Sequence, residues 1–130
     1  MIVLDASVMV EILLGTDLGR RAGDRVRAAK ARHAPHLLDA EVGQVLRRFV
    51  SSKQIAAERA HAAIADLSIF PVRRHAHSSL LERAFELRSS LTVYDALYLA
   101  LAESLEATLV TADAALARVP HRRAEVELVK

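Results

Sequence analysis

The first seven residues constrain the fold more than any other stretch. Met1, Ile2, Val3 and Leu4 run apolar without alternation and are followed at once by Asp5, Ala6 and Ser7. An unbroken apolar run that ends in small polar residues reads as a strand buried on both faces, the pattern of a parallel sheet. Asp5 then stands at the strand's carboxyl end, the edge of an open α/β sheet where ligands bind. Any other polar residue delivered to that edge becomes a candidate for chemistry.

Later segments repeat this order of strand, turn and helix. Residues 33–38 lead through Pro35 into a second strand. Asp39 is expected to cap a helix over 40–51, whose apolar face is Val42, Val45, Leu46, Phe49 and Val50 and whose first turn holds Glu41. Residues 69–72 read as a strand placed at the sheet edge by Pro71. Residues 108–111 form another, Asp113 caps a short helix stopped before Pro120, and residues 125–129 alternate like an edge strand. Helices are expected over 8–14, ended by Gly15, and from Asp17 to about Arg32, then over 55–67 and 78–89. The helix after Asp17 has only a thin apolar stripe of Leu18, Ala22, Val26 and Ala29, which suggests a face completed by a partner. The helix opened by Thr92 is apolar or aromatic all round from Val93 to Ala102 except at Asp95, so it is buried. Alternating strands and helices give an α/β fold, one domain over residues 1–130, with a central and mostly parallel sheet flanked by helices.

The 130 residues, 52% of them apolar, are enough for one real core. The absence of cysteine excludes disulfides and thiolate metal sites and suits the cytoplasm. No apolar run reaches membrane-spanning length, and the opening strand lacks the basic flank of a signal peptide, so a soluble, cytoplasmic protein without a membrane partner is expected. Net charge is only +2, but the basic residues are fifteen Arg against three Lys, clustered at 20–32, 47–53, 73–74 and 118–123. The forked guanidinium is the preferred reader of phosphate, which leans toward a nucleic-acid partner. A solvated Arg-rich surface is the competing account.

Asp95 is the most informative single residue, because Leu91, Tyr98, Leu99 and Ala102 surround it on the helix and no Lys or Arg lies within that helix. A carboxylate buried there must be paired, protonated or bound to metal, or else it completes a capping box with Thr92, and both roles can coexist. Asp5 and Asp113 each follow an apolar strand, where an ordinary N-cap also belongs, and Glu41 suits the dipole of its helix. Taken together, Asp5, Glu41 and Asp113 fall at strand-to-helix turns on one sheet edge, and Asp95 starts the helix feeding the strand over 108–111. Four acids gathered there would raise one another's pKa unless a cation joins them. Hard oxygen donors suit Mg²⁺ or Mn²⁺, which activate water and neutralise a phosphodiester's developing charge. Outside the cluster, 18 basic residues against the 12 remaining acids leave +6 for an anionic substrate.

At four places the chain resembles the PIN-domain ribonucleases, most closely the VapC-type toxins of bacterial toxin-antitoxin pairs. They are Val3 to Ser7; Leu38 to Val42; Thr92 to Ala100, reading TVYDALYLA; and Leu109 to Asp113, reading LVTAD. The resemblance implies that Asp5, Glu41, Asp95 and Asp113 bind divalent metal and carry catalysis, with Ser7 and Thr111 helping to orient metal-bound water or phosphate. It also implies an RNA substrate, an antitoxin partner and a homodimer. Glu106 stands where such sequences often have Gly at a helix end. A non-catalytic RNA-binding or scaffold PIN domain is the alternative, but such domains usually lack one or more acids. A receiver domain lacks support because Lys130 is merely terminal, and a haloacid-dehalogenase-type phosphatase would need a second Asp where Ser7 stands. His33, His36, His75 and His77 read as solvated loop residues. Phe49, Phe70, Phe85, Tyr94 and Tyr98 read as core rather than as a base-stacking platform.

Overall fold

The computed structural model describes residues 1–130. Five strands, β1 (Ile2–Leu4), β2 (Arg32–Pro35), β3 (Arg73–His75), β4 (Thr108–Thr111) and β5 (Val126–Leu128), form one sheet in the order β3-β2-β1-β4-β5. Every neighbouring pair is parallel. β1 lies in the middle and is fully buried, as its unbroken apolar run requires. The chain winds outward from β1 through β2 to β3, then returns to the other side of β1 for β4 and β5. The reversal falls between β1 and β4, so the crevice at their carboxyl ends is the topological switch point.

Seven helices complete the fold: α1 (Ala6–Leu14), α2 (Asp17–Ala28), α3 (Leu37–Ser51), α4 (Ala57–Ile69), α5 (Leu81–Glu86), α6 (Val93–Leu105) and α7 (Ala114–Ala117). α6 packs on β1, β2 and β4, and every residue from Ala96 to Ala102 is buried. Side chains such as Leu99 and Leu101 each contribute about 1.5–3 kcal/mol by leaving water. One core cluster runs from Ile2 to Val119.

Several expected boundaries move, each for a local reason. α3 starts at Leu37, because the backbone is already helical at His36, and Asp39 is not its cap. The Leu37 N–H donates instead to His77 Nε2 at 3.0 Å, while Asp39 binds the Arg74 guanidinium at 2.7 and 2.9 Å. α2 is capped by Thr16, whose hydroxyl accepts from Gly19 N–H, and Asp17 pairs with Arg20. It ends at Ala28, which frees Arg32 to enter the sheet. Half of its thin stripe, Ala22 and Val26, is buried within the chain while Leu18 and Ala29 stay partly exposed; a Cβ at Gly19 would lie 1.9 Å from the Glu11 carbonyl oxygen, so the missing side chain lets α2 lie directly on α1. α4 ends two residues later than expected, at Ile69. The strand at the β3 edge therefore begins beyond Pro71, at Arg73. α5 is shorter than the 78–89 pattern suggests. Glu106 closes α6 at φ 53°, a left-handed position that costs a non-glycine residue about 1 kcal/mol.

Candidate active site

Asp5 leaves β1 as the N-cap of α1 and is only 5% exposed. Ser7 O–H donates to its Oδ1 at 2.6 Å and Val8 N–H to the same oxygen at 3.1 Å. Thr111 O–H donates to Oδ2. The two hydroxyls also accept from the chain leaving β4, Ala112 N–H to Ser7 Oγ and Asp113 N–H to Thr111 Oγ1, both at 3.0 Å. A hydroxyl has one proton and two lone pairs. Each proton here is committed to Asp5, so Ser7 and Thr111 orient that carboxylate and stitch the end of β1 to the end of β4.

Glu41 comes from α3, half-buried, and its Oε1 accepts the phenol O–H of Tyr98 at 2.6 Å. Asp95 sits in the first turn of α6, where its backbone N–H donates to Thr92 Oγ1 at 3.1 Å. The expected cap is therefore present, and the carboxylate itself is half-buried rather than enclosed. Asp113 is exposed and caps α7, its Oδ1 accepting Ala115 N–H at 2.9 Å.

The electrostatics tie these four together. Burial pushes the Asp5 carboxyl above its ordinary value despite the opposing bonds from Ser7, Thr111 and Val8, and the charge on Asp95 adds to the rise. Burial likewise raises Glu41, the Tyr98 bond opposes, and Asp95 again adds. Asp95 is raised by burial and by Asp113, with Thr92 opposing. Asp95 is thus the centre to which the other three couple. None of the four forms an ion pair, whereas Asp17, Asp24, Asp39, Glu86, Glu103 and Glu127 all do. Five of the arginines counted toward a basic surface, Arg20, Arg25, Arg27, Arg74 and Arg83, are engaged in those pairs.

No three His, Cys, Asp or Glu side chains, as placed, gather closely enough to hold a metal ion. The chemistry of the donor set nevertheless fits a hard divalent cation, since it is carboxylate oxygen alone. Glu41 Oε2 and Asp113 Oδ2 have no protein hydrogen bond and Asp95 has only the Thr92 hydroxyl beside it, while Asp5 is held by three. Mg²⁺ suits such a sparse set, because it binds through one or two carboxylates and keeps several waters.

Two expectations about other residues change. His33 is 8% exposed and sits in β2, with its Nδ1 2.9 Å from Nε2 of His75 in β3, and burial holds both rings below their ordinary pKa. With His77 capping α3, three of the four histidines are structural rather than solvated. Tyr94 and Phe85 are 62% and 56% exposed rather than core, and the Arg88 guanidinium lies over the Phe85 ring. The bond from Tyr98 to Glu41 escaped sequence reasoning. Its signal is a tyrosine inside an all-apolar helix, because a buried phenol must find an acceptor.

The PIN domain family matches residues 2–122 of the chain. Ribonuclease VapC1 of Mycobacterium tuberculosis is 41% identical over 129 residues, covering 98% of this chain and 97% of that protein. The VapBC2 structure from Rickettsia felis, bound to a DNA fragment from its promoter, superposes over 100% of both chains with a TM-score of 0.71 at 18% identity. A toxin-antitoxin complex from Klebsiella pneumoniae gives a TM-score of 0.67 at 18% identity, over 92% of this chain and 93% of that one. These two structures agree with the observed five-stranded parallel fold.

Proposed function

The chain belongs to the PIN-domain family and is a ribonuclease of the VapC type, and we propose that it hydrolyses RNA with divalent ions held by Asp5, Glu41, Asp95 and Asp113. What carries this reading is that these four carboxylates are without an ion pair and coupled through Asp95, with Asp5 and Asp113 at the carboxyl ends of β1 and β4 where the strand order reverses. A bound Mg²⁺, or Mn²⁺, would supply Lewis-acid polarisation of the phosphodiester and a water made nucleophilic near neutral pH. The chain's own contribution is orientation. Ser7 and Thr111 lock Asp5, the α6 cap sets Asp95, and the carboxylates left unbonded receive the cation. The one lone pair left on each hydroxyl can accept from a water, whereas contact with a phosphate oxygen would need the proton that Asp5 now holds.

As a VapC-type toxin it has a protein antitoxin as its partner, and we further propose that it works as a homodimer in the cytoplasm, with residues 1–130 as one nuclease domain. No helix is long and apolar enough to cross a membrane. Cleavage of total cellular RNA with and without EDTA tests the metal-dependent reading. We expect cleavage with Mg²⁺ or Mn²⁺ and none in EDTA; full activity in EDTA contradicts the metal mechanism, and no cleavage with any metal contradicts catalysis.

A further inference from the structure

Tyr98 is 1% exposed and lies one helical turn after Asp95, between the buried Leu97 and Leu99. A phenylalanine would fill the same apolar space. The added hydroxyl must find an acceptor, because an unbonded buried polar group is expensive, and the acceptor is Oε1 of Glu41, 57 residues away in sequence and on another helix. This is the only protein hydrogen bond to the Glu41 carboxylate. A half-buried glutamate with three rotatable side-chain bonds would otherwise turn toward solvent. A phenol keeps its proton throughout the neutral range, so Tyr98 is the donor and Glu41 the acceptor.

We propose that Tyr98 is a positioning residue for divalent-ion binding: its phenol clamps Oε1 of Glu41 across the gap between α6 and α3 and leaves Oε2 open to the cation. The proposal rests on the reading of Glu41 as a ligand. It gives α6 two tasks on adjacent faces, since Asp95 faces the cation and Tyr98 fixes a second acid beside it. Hydrogen bonds that orient a metal's ligands are part of the site, and losing one typically costs about 10–100-fold in metal affinity or activity.

The test follows the thermal midpoint of the full chain against Mn²⁺ concentration for the parent, Tyr98→Phe, Glu41→Gln and the double variant. We expect Tyr98→Phe to raise the Mn²⁺ concentration for half-maximal stabilisation about ten-fold or more, and to add nothing further in the Glu41→Gln background, the signature of one residue acting through another. If Tyr98→Phe lowers the midpoint in EDTA yet leaves the Mn²⁺ requirement unmoved while Glu41→Gln shifts it, Tyr98 is a packing residue and the proposal is overturned. If Glu41→Gln itself moves nothing, Glu41 is not a ligand and the reading beneath the proposal fails. Should Tyr98→Phe not fold, Glu41→Asp is the second arm, being one methylene too short for the phenol; an unmoved Mn²⁺ requirement there also overturns the clamp.

Discussion

α6 carries a carboxylate near each end, and the fold treats them in opposite ways. Glu103, near the C-terminal end, has a side chain only 7% exposed, and burial alone would raise its pKa. Arg83 binds both of its oxygens, at 2.7 and 3.2 Å, and the Arg123 backbone N–H adds a third bond at 2.9 Å. Together these outweigh burial and hold Glu103 below its ordinary value. Asp95, at the N-terminal end, is half-buried with no ion pair, and burial and Asp113 hold it above. A carboxylate needed for architecture is paired by the chain itself. One left to repel its neighbours at a sheet edge loses stability for function, and on the proposed reading its partner is a cation.

The largest expected effect separates the two acids by activity. Asp5→Asn, at the most constrained carboxylate of the cluster, should lower RNA cleavage by at least about 100-fold, as loss of a metal ligand does, while Glu103→Gln should leave cleavage within a few-fold of the parent. Equal losses in a metal-supplemented cleavage assay would erase the distinction. Next in size is stability. Glu103→Ala leaves the partly exposed Arg83 with only Glu86 as an ionic partner, and urea unfolding should show a loss of about 1.5–3 kcal/mol, the range for charge-assisted hydrogen bonds. Little change would mean that the Arg83 pair is no better than a surface contact.

Asp95→Asn should move the other way by a smaller amount. In EDTA it relieves repulsion from Asp113 but forfeits charge near a helix N-terminus, worth about 0.3–1 kcal/mol. After allowance for solvent screening at a half-exposed group, a net gain on the order of 0.5 kcal/mol is expected. The smallest effect is in the pH dependence. Asp95's folded-state pKa is raised, so its instability is present at neutral pH and disappears as pH falls through that raised value, above 3.8. Glu103's is depressed, so its stabilisation persists above the unfolded value of 4.5 and is lost only as pH falls through the lower folded value. The stability gap between parent and Asp95→Asn should therefore close at a higher pH than the gap between parent and Glu103→Gln. Closure at one common pH would mean that the two ends of α6 are not electrostatically distinct.

What was legible in the sequence was whatever local pattern controls. β1 could be read from four apolar residues, and Asp5 and Asp113 from their places at strand ends. The buried face of α6 followed from its lack of polar residues, and Asp95 stood out against it. What was not legible depends on contacts between distant segments. Nothing near Leu37 announces that His77 will cap it, nothing near Glu41 announces Tyr98, and the His33 and His75 rings meet only because β2 and β3 pair. The close packing of α2 on α1 was hidden for a related reason: a stripe count registers apolar side chains but not the close approach that Gly19 permits. Tyr94 and Phe85 keep helical spacing yet face outward, since period alone does not say which face the sheet will cover.

The central claim is that Asp95 and its three neighbours await a cation while Glu103 does not, and thermal unfolding of the parent, Asp95→Asn and Glu103→Gln in EDTA and in saturating Mn²⁺ tests it most directly. Binding to the native state raises apparent stability in proportion to RT ln(1 + [L]/Kd). The expected result is that Mn²⁺ stabilises the parent and Glu103→Gln by similar increments, whereas Asp95→Asn begins above the parent in EDTA and loses most of the Mn²⁺ increment. An Asp95→Asn variant less stable than the parent in EDTA, yet stabilised equally by Mn²⁺, would contradict the account and leave Asp95 as no more than a helix-capping residue.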